Sequence, residues 1–122
     1  MSRIIDERVL FNEVNLAVEK SVIMDMSEID FLSVAINITA CTGSNVLDLL
    51  ESLDGINFVP VASKIMTEPS LTIWHVYPVF SRYKKLHYVP GTGGATFTVQ
   101  INARDTGIQS SGKTPDITPG VN

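Results

Sequence analysis

The 122-residue chain has room for one domain and one core. With 44% hydrophobic and only 18% charged residues it is apolar for its size, so part of its apolar surface is expected in an interface. A formal charge of −4 argues against nucleic acid or an anionic membrane as the main partner, because both select for clustered Lys and Arg.

One cysteine, Cys41, leaves no intrachain disulfide and fits synthesis in a reducing cytoplasm. The N-terminal MSRIIDER lacks the basic region, apolar stretch and small-residue cleavage site of a signal peptide, so export by a classical route is not expected. No apolar run approaches the roughly 18 to 20 residues that a membrane-spanning helix needs.

In chain order, the segment Met1–Lys20 carries Ile4, Ile5, Val9, Leu10, Phe11, Val14 and Leu16 and is expected to be an arm or an edge strand, weakly so over Val9–Leu16. Lys20–Met26 is a β-branched strand candidate. Phe31–Thr39 alternates with period two, placing Leu32, Val34, Ile36 and Ile38 on one face and Ser33, Ala35, Asn37 and Thr39 on the other. Asn45–Leu53 fits two patterns. Positions 46, 49, 50 and 53 have helical spacing with Asn45 as a cap and Gly55 as a stop, whereas Asp54-Gly55 and the β-rich run after it fit a two-residue hairpin turn into Ile56–Ala62.

Leu71–Tyr77 follows a Glu68-Pro69-Ser70 turn, Pro78 interrupts the run, and Phe80–Val89 resumes it. The Gly91-Thr92-Gly93-Gly94 connection leads into Ala95–Asn102, whose apolar face is Phe97, Val99 and Ile101. About eight short strands at this spacing predict an all-β domain, an antiparallel β-sandwich of jelly-roll or immunoglobulin-like type. The expected organisation is an N-terminal arm or edge strand over 1–20, the sandwich over 21–104 and a flexible tail over 105–122, whose Gly, Pro, Ser and Thr offer little apolar surface to bury.

Candidate chemistry is sparse. His75 and His87 stand in no metal-ligand spacing with Cys41 or a carboxylate, and nothing near Cys41 would activate it as a nucleophile. The glycine-rich loop is followed by no Lys-Ser or Lys-Thr, so it is a connection and not a phosphate cradle. The acidic groups Asp25, Glu28, Asp30 and Asp48, Glu51, Asp54 match no calcium loop. No catalytic residues, metal or cofactor are therefore expected. The basic, aromatic stretch Arg82-Tyr83-Lys84-Lys85 with His87 and Tyr88 fits a protein contact better than RNA or sugar in so acidic a chain.

The run from Ile36-Asn37-Ile38-Thr39 through Ser52-Leu53-Asp54-Gly55-Ile56-Asn57-Phe58, Phe80–Leu86 and Gly93–Val99 resembles small β-sandwich accessory proteins of tailed-phage virions, among them capsid decoration and head or tail proteins. Ser52-x-Asp54-Gly55-x-Asn57-Phe58 is similar to their S-x-D-G-x-x-W/F hairpin, with Phe58 where Trp is frequent. In that family the preceding segment is a strand, which favours a strand at 46–53 here. The resemblance implies a non-enzymatic virion structural protein, made in the host cytoplasm, that binds the major capsid protein or other virion proteins and stabilises the shell. A head–tail connector, a fibre-anchoring subunit and a carbohydrate-binding adhesin-like module are the alternatives, and a homo-oligomer is compatible with each. The expected interface residues are Ile4, Ile5, Val9 and Phe11 of the N-terminal segment, with Arg82, Lys84 and Lys85 of the basic face.

Overall fold

Two-residue alternation of apolar side chains gives each segment one dry face, and two such faces must meet to exclude water. In the computed structural model, which describes residues 3–105 and the side chains from Glu7 onward, eight strands do this. They are β1 (Arg3–Leu16), β2 (Lys20–Asp25), β3 (Phe31–Cys41), β4 (Asn45–Ser52), β5 (Val59–Met66), β6 (Ser70–Val76), β7 (Tyr83–Val89) and β8 (Ala95–Asp105). One sheet has the order β1-β8-β3-β6 and the other β2-β7-β4-β5, and every pairing is antiparallel. Among the described strands, every connection except β4–β5 passes from one sheet to the other. That strand order is a jelly roll, which decides between the two sandwich types expected from the sequence.

The core follows the predicted parity. Leu32, Val34, Ile36 and Ile38 of β3 lie inward beside Phe97, Val99 and Ile101 of β8, in register as Val34↔Ile101, Ile36↔Val99 and Ile38↔Phe97. Leu47 and Leu49 of β4 and Leu86 and Tyr88 of β7 face them from the second sheet. Burial of each such aliphatic or aromatic side chain contributes about 1.5–3 kcal/mol. Phe97 bridges the layers, its ring centroid 5.8 Å from Phe11 and 4.9 Å from Tyr88.

Asn45–Ser52 is the strand that the resemblance favoured, with no helical turn: Leu47 and Leu49 each bury completely between two sheets, which a helix in that slot could not match. Two local expectations change. Asp54-Gly55 does not make a two-residue hairpin. β4 ends at Ser52 and β5 starts at Val59, and the loop between them is organised by one carboxylate: Asp54 Oδ1 accepts from the backbone N–H of Ile56 and Asn57 (both 2.8 Å) and from the Ser52 hydroxyl (2.7 Å). Gly55 takes φ +79° against the Tyr83 ring, which explains the glycine. Finally, β7 begins at Tyr83 and not at Phe80, after a cis Tyr77–Pro78 bond and an irregular segment. Of the tail expected over 105–122, Asp105 ends β8 and the rest lies outside the described residues.

At one end of the sandwich the chain converges on Asn45, which is fully buried. Its Oδ1 accepts the Gly91 backbone N–H at 2.8 Å, and a backbone N–H can only donate, so the amide orientation is fixed. The Tyr88 hydroxyl lies 2.9 Å from that oxygen and 2.6 Å from the Leu16 carbonyl, with one proton to give to the pair. Asn45 Nδ2 faces the carbonyls of Thr42 (3.2 Å), Gly94 (3.4 Å) and Met66 (3.5 Å). Gly94 has φ +77°, and a Cβ there would lie 2.6 Å from the Leu16 carbonyl oxygen.

Replacing Asn45 with alanine strands a buried N–H and several carbonyls at once. Asn45→Ala is expected to lower unfolding stability by about 2–4 kcal/mol, each orphaned buried group costing about 1–3 kcal/mol. Urea denaturation followed by circular dichroism measures this, and a loss below about 0.5 kcal/mol would mean that the amide is not the organiser of that end.

Candidate functional site

The inward positions of β4 run Asn45, Leu47, Leu49 and then Glu51, so the apolar layer gives way to a charge at the end opposite Asn45. Directly across from Glu51 in the ladder stands Lys84, which shares the inward parity of Leu86 and Tyr88 and is 1% exposed. Its Nζ donates to Glu51 Oε1 and to Ser81 Oγ, each at 2.8 Å, and Ser81 Oγ donates to the same Glu51 oxygen at 2.9 Å. The Glu51 side chain is 40% exposed, so the pair has one dry and one wet member. Hydrogen bonds from Lys84 and then Ser81 hold the Glu51 carboxyl below its ordinary value.

Above this cluster lies an open groove of about 540 Å³ between the edge strands of the two sheets. Val59 and Val61 of β5 form one wall, and Val76 and Pro78 the other. Val61 is displaced by a β-bulge, since Leu49 pairs with Ala62 while Leu50 pairs with Pro60. Leu53 and Phe80 form the lips and are among the most exposed large side chains of the domain, at 80% and 81%. Asp54 and Asn57 edge the loop end, where the backbone N–H groups of Asn57 and Ile56 hold the Asp54 carboxyl far below the usual range.

Ser81 Oγ and Lys84 Nζ have the separation of a serine–lysine nucleophile pair, but their hydrogen bonds run the wrong way for it. The serine proton goes to Glu51, and the lysine donates to the serine oxygen. The cluster is suited to holding the β7 start and the 77–82 segment against β4, and the groove is suited to receiving an apolar group. Among the described residues no group of three or more His, Cys, Asp or Glu side chains is placed to hold a metal.

The residues expected at an interface do not come together. Phe11 is a core residue, 1% exposed, because the β1 register shifts between Val9 and Phe11, which sets Phe11 against the inward Val99 and turns it toward Phe97. Lys84 is buried under the groove for the parity reason given above. Val9 is exposed on the outer side of β1, opposite Gln100 of β8. The backbone of Ile4 pairs with Arg104, and the side chains of Ile4 and Ile5 lie outside the described residues. Arg82 is exposed on the other sheet's side of the molecule, in an ion pair with Asp25 at 3.1 Å, and Lys85 sits 5.1 Å over the Phe58 ring.

Leu53 and Phe80 are not among the residues expected at an interface. Each is a large apolar residue beside a turn former (Asp54-Gly55 and Pro78), and the apolar runs that adjoin them mask that signal. Cys41 is half-buried beside the core. His75 accepts from or donates to Ser33 Oγ at 2.9 Å, and His87 pairs with Glu19.

No family model and no curated protein matches the chain. Among solved structures, the PBSX exported protein XepA superposes with a TM-score of 0.61 at 18% identity, over 98% of this chain and 44% of that one. The chain thus spans less than half the length of XepA, and the likeness shows a shared β-sandwich fold. A subunit of the disulfide-linked Bacillus endospore appendage pili aligns over 79% of this chain and 93% of that one, with a TM-score of 0.46 and 16% identity.

The asymmetry of the Glu51–Lys84 pair gives unequal outcomes for its two halves. Glu51→Gln leaves the buried ammonium poorly compensated and is expected to lower stability by about 2–3 kcal/mol, less than for a fully buried pair because Glu51 is partly wet. Lys84→Met is expected to stay within about 1 kcal/mol of the parent. Because the folded carboxyl lies below its ordinary value of 4.5, its contribution is complete above that pH and is lost as pH falls through the lower folded value. The acid limb of a melting-temperature profile should therefore be shallower in Glu51→Gln. Equal losses from both variants, with unchanged acid limbs, would refute this account.

Proposed function

We propose that the chain is a structural accessory protein of a phage virion, which binds the assembled capsid and reinforces it, and that it is not an enzyme. The observation that carries this reading is the pair of exposed apolar lips, Leu53 and Phe80, over a groove walled by Val59, Val61, Val76 and Pro78. Side chains of that size are left in water at a cost unless a partner covers them. The virion setting is supported by the similarity of the 31–104 region to tailed-phage decoration and accessory proteins. The jelly-roll fold, shared with a protein named as exported, is compatible with a place on an extracellular particle.

Reinforcement follows from mass action and multiplicity. A rigid domain that touches two neighbouring subunits stabilises the joined state, and many copies per shell multiply the effect. The carbohydrate-binding alternative needs several aromatics on one face. Tyr88 is in the core, Trp74 is half-buried against it, and Tyr83 belongs to the second sheet, which leaves Tyr77 beside Phe31 at 5.6 Å on the first. A two-ring patch of this kind favours a protein partner over a glycan.

The test is co-sedimentation of the purified protein with emptied phage capsids, together with the temperature at which the shells disrupt. Binding and a raised disruption temperature are expected. The double variant Leu53→Ser with Phe80→Ser should bind roughly tenfold or more weakly while melting like the parent, since both residues are exposed. Failure to bind any virion component would overturn the reading.

A further inference from the structure

Among the described residues this jelly roll leaves four strands with one unpaired edge each, β1 and β6 in one sheet and β2 and β5 in the other. Unpaired edges invite pairing with another chain, and proteins blunt them with charges, prolines and bulges. Three of the four are blunted. β1 carries Asp6, Glu7, Arg8 and Glu13 and has three register irregularities along its pairing with β8. β5 contains Pro60, which has no N–H to give, as well as a bulge and Lys64. β2 is short and bounded by Lys20 and Asp25, both held in ion pairs.

β6 carries none of these devices. Ser70-Leu71-Thr72-Ile73-Trp74-His75-Val76 has no Asp, Glu, Lys, Arg or Pro, and it pairs with β3 over seven residues without a register shift. Leu71 and Ile73 are 66% and 52% exposed on its outer side. Pairing with a second copy requires self-complementarity, because a two-fold axis places residue i against j and j against i. A charge on the axis would face its own copy, and equal charges at symmetric positions would face each other. The uncharged β6 avoids both, and an antiparallel pair centred on Ile73 sets Leu71 against His75 of the other copy and Ile73 against Ile73.

We propose that the edge of β6 pairs with β6 of a second copy of this chain, antiparallel about Ile73, joining two four-stranded sheets into one of eight strands. The two Ile73 side chains and the flanking Leu71 side chains then cover one another. Leu53 and Phe80, which are carried on loops, stay outside the paired segment. This proposal does not depend on the capsid reading, and its test contains no capsid.

Sedimentation velocity on the full chain over a wide concentration range is expected to show a closed dimer. Ile73→Lys, which opposes two like charges at the axis, should weaken it roughly tenfold or more. Leu71→Lys with His75→Lys should do the same, whereas Leu71→Lys with His75→Glu sets opposite charges face to face and should keep the dimer. Circular dichroism establishes that each variant is folded, which the exposure of these positions favours. A monomer at every concentration, a dimer indifferent to Ile73→Lys, or open-ended polymers would each overturn the proposal.

Discussion

The buried amide of Asn45 holds one end of the sandwich together by serving segments that are far apart in the chain. It binds the turn after β3, the end of β5, the connection between β7 and β8 and, through Tyr88, the end of β1. Each of these brings a backbone group that would otherwise be buried without a partner. A connection that crosses from one sheet to the other cannot satisfy such groups by ladder pairing, because its neighbours lie in different layers. One side chain with both donors and an acceptor meets that need where a hydroxyl or a carboxylate could not. The glycines around it follow from the same crowding, since Gly94 passes within contact of the Leu16 carbonyl.

The other end of β4 is built differently and has a different use. There the inward positions are taken by Glu51 and Lys84, and the core ends in an ion pair with Ser81 instead of an apolar plug. A pair of charges packs less apolar volume than two leucines would. The space above it stays open, and the irregular 77–82 segment and the β4–β5 loop border it with Leu53 and Phe80. The well-tied end and the open end are therefore two outcomes of one strand's inward residues, with polar groups at both tips. One tip is saturated with backbone partners and the other looks onto solvent.

Charge placement separates the surfaces in a similar way. The formal charges of the edge strands collect on β1, β2 and β5, and β6 is left bare. The basic residues of the 82–85 stretch do not act together. Arg82, just before β7, engages Asp25 in water, Lys84 turns into the protein by strand parity, and Lys85 lies on Phe58. What looks in one dimension like a single cationic patch loses its middle lysine to the core.

The sequence by itself determined the all-β class, the inward faces of β3 and β8 and the approximate places of eight strands, because period-two alternation and turn residues are local properties that each segment carries alone. It also held the Ser52, Asp54, Gly55 and Asn57 loop chemistry in compressed form, though not the length of that loop. Only the tertiary structure decided which strands adjoin. That choice made a jelly roll, sent Phe11 and Lys84 inward and left β6 at an edge. Parity within β7 leaves Lys84 and Lys85 interchangeable until Leu86 and Tyr88 are known to face the core, and the helical spacing of Asn45–Leu53 competes with a strand until two sheets close over Leu47 and Leu49. The groove has no signature in the chain order, since its walls come from β5, from β6 and from the segment after it, and space between distant residues is a property of packing alone.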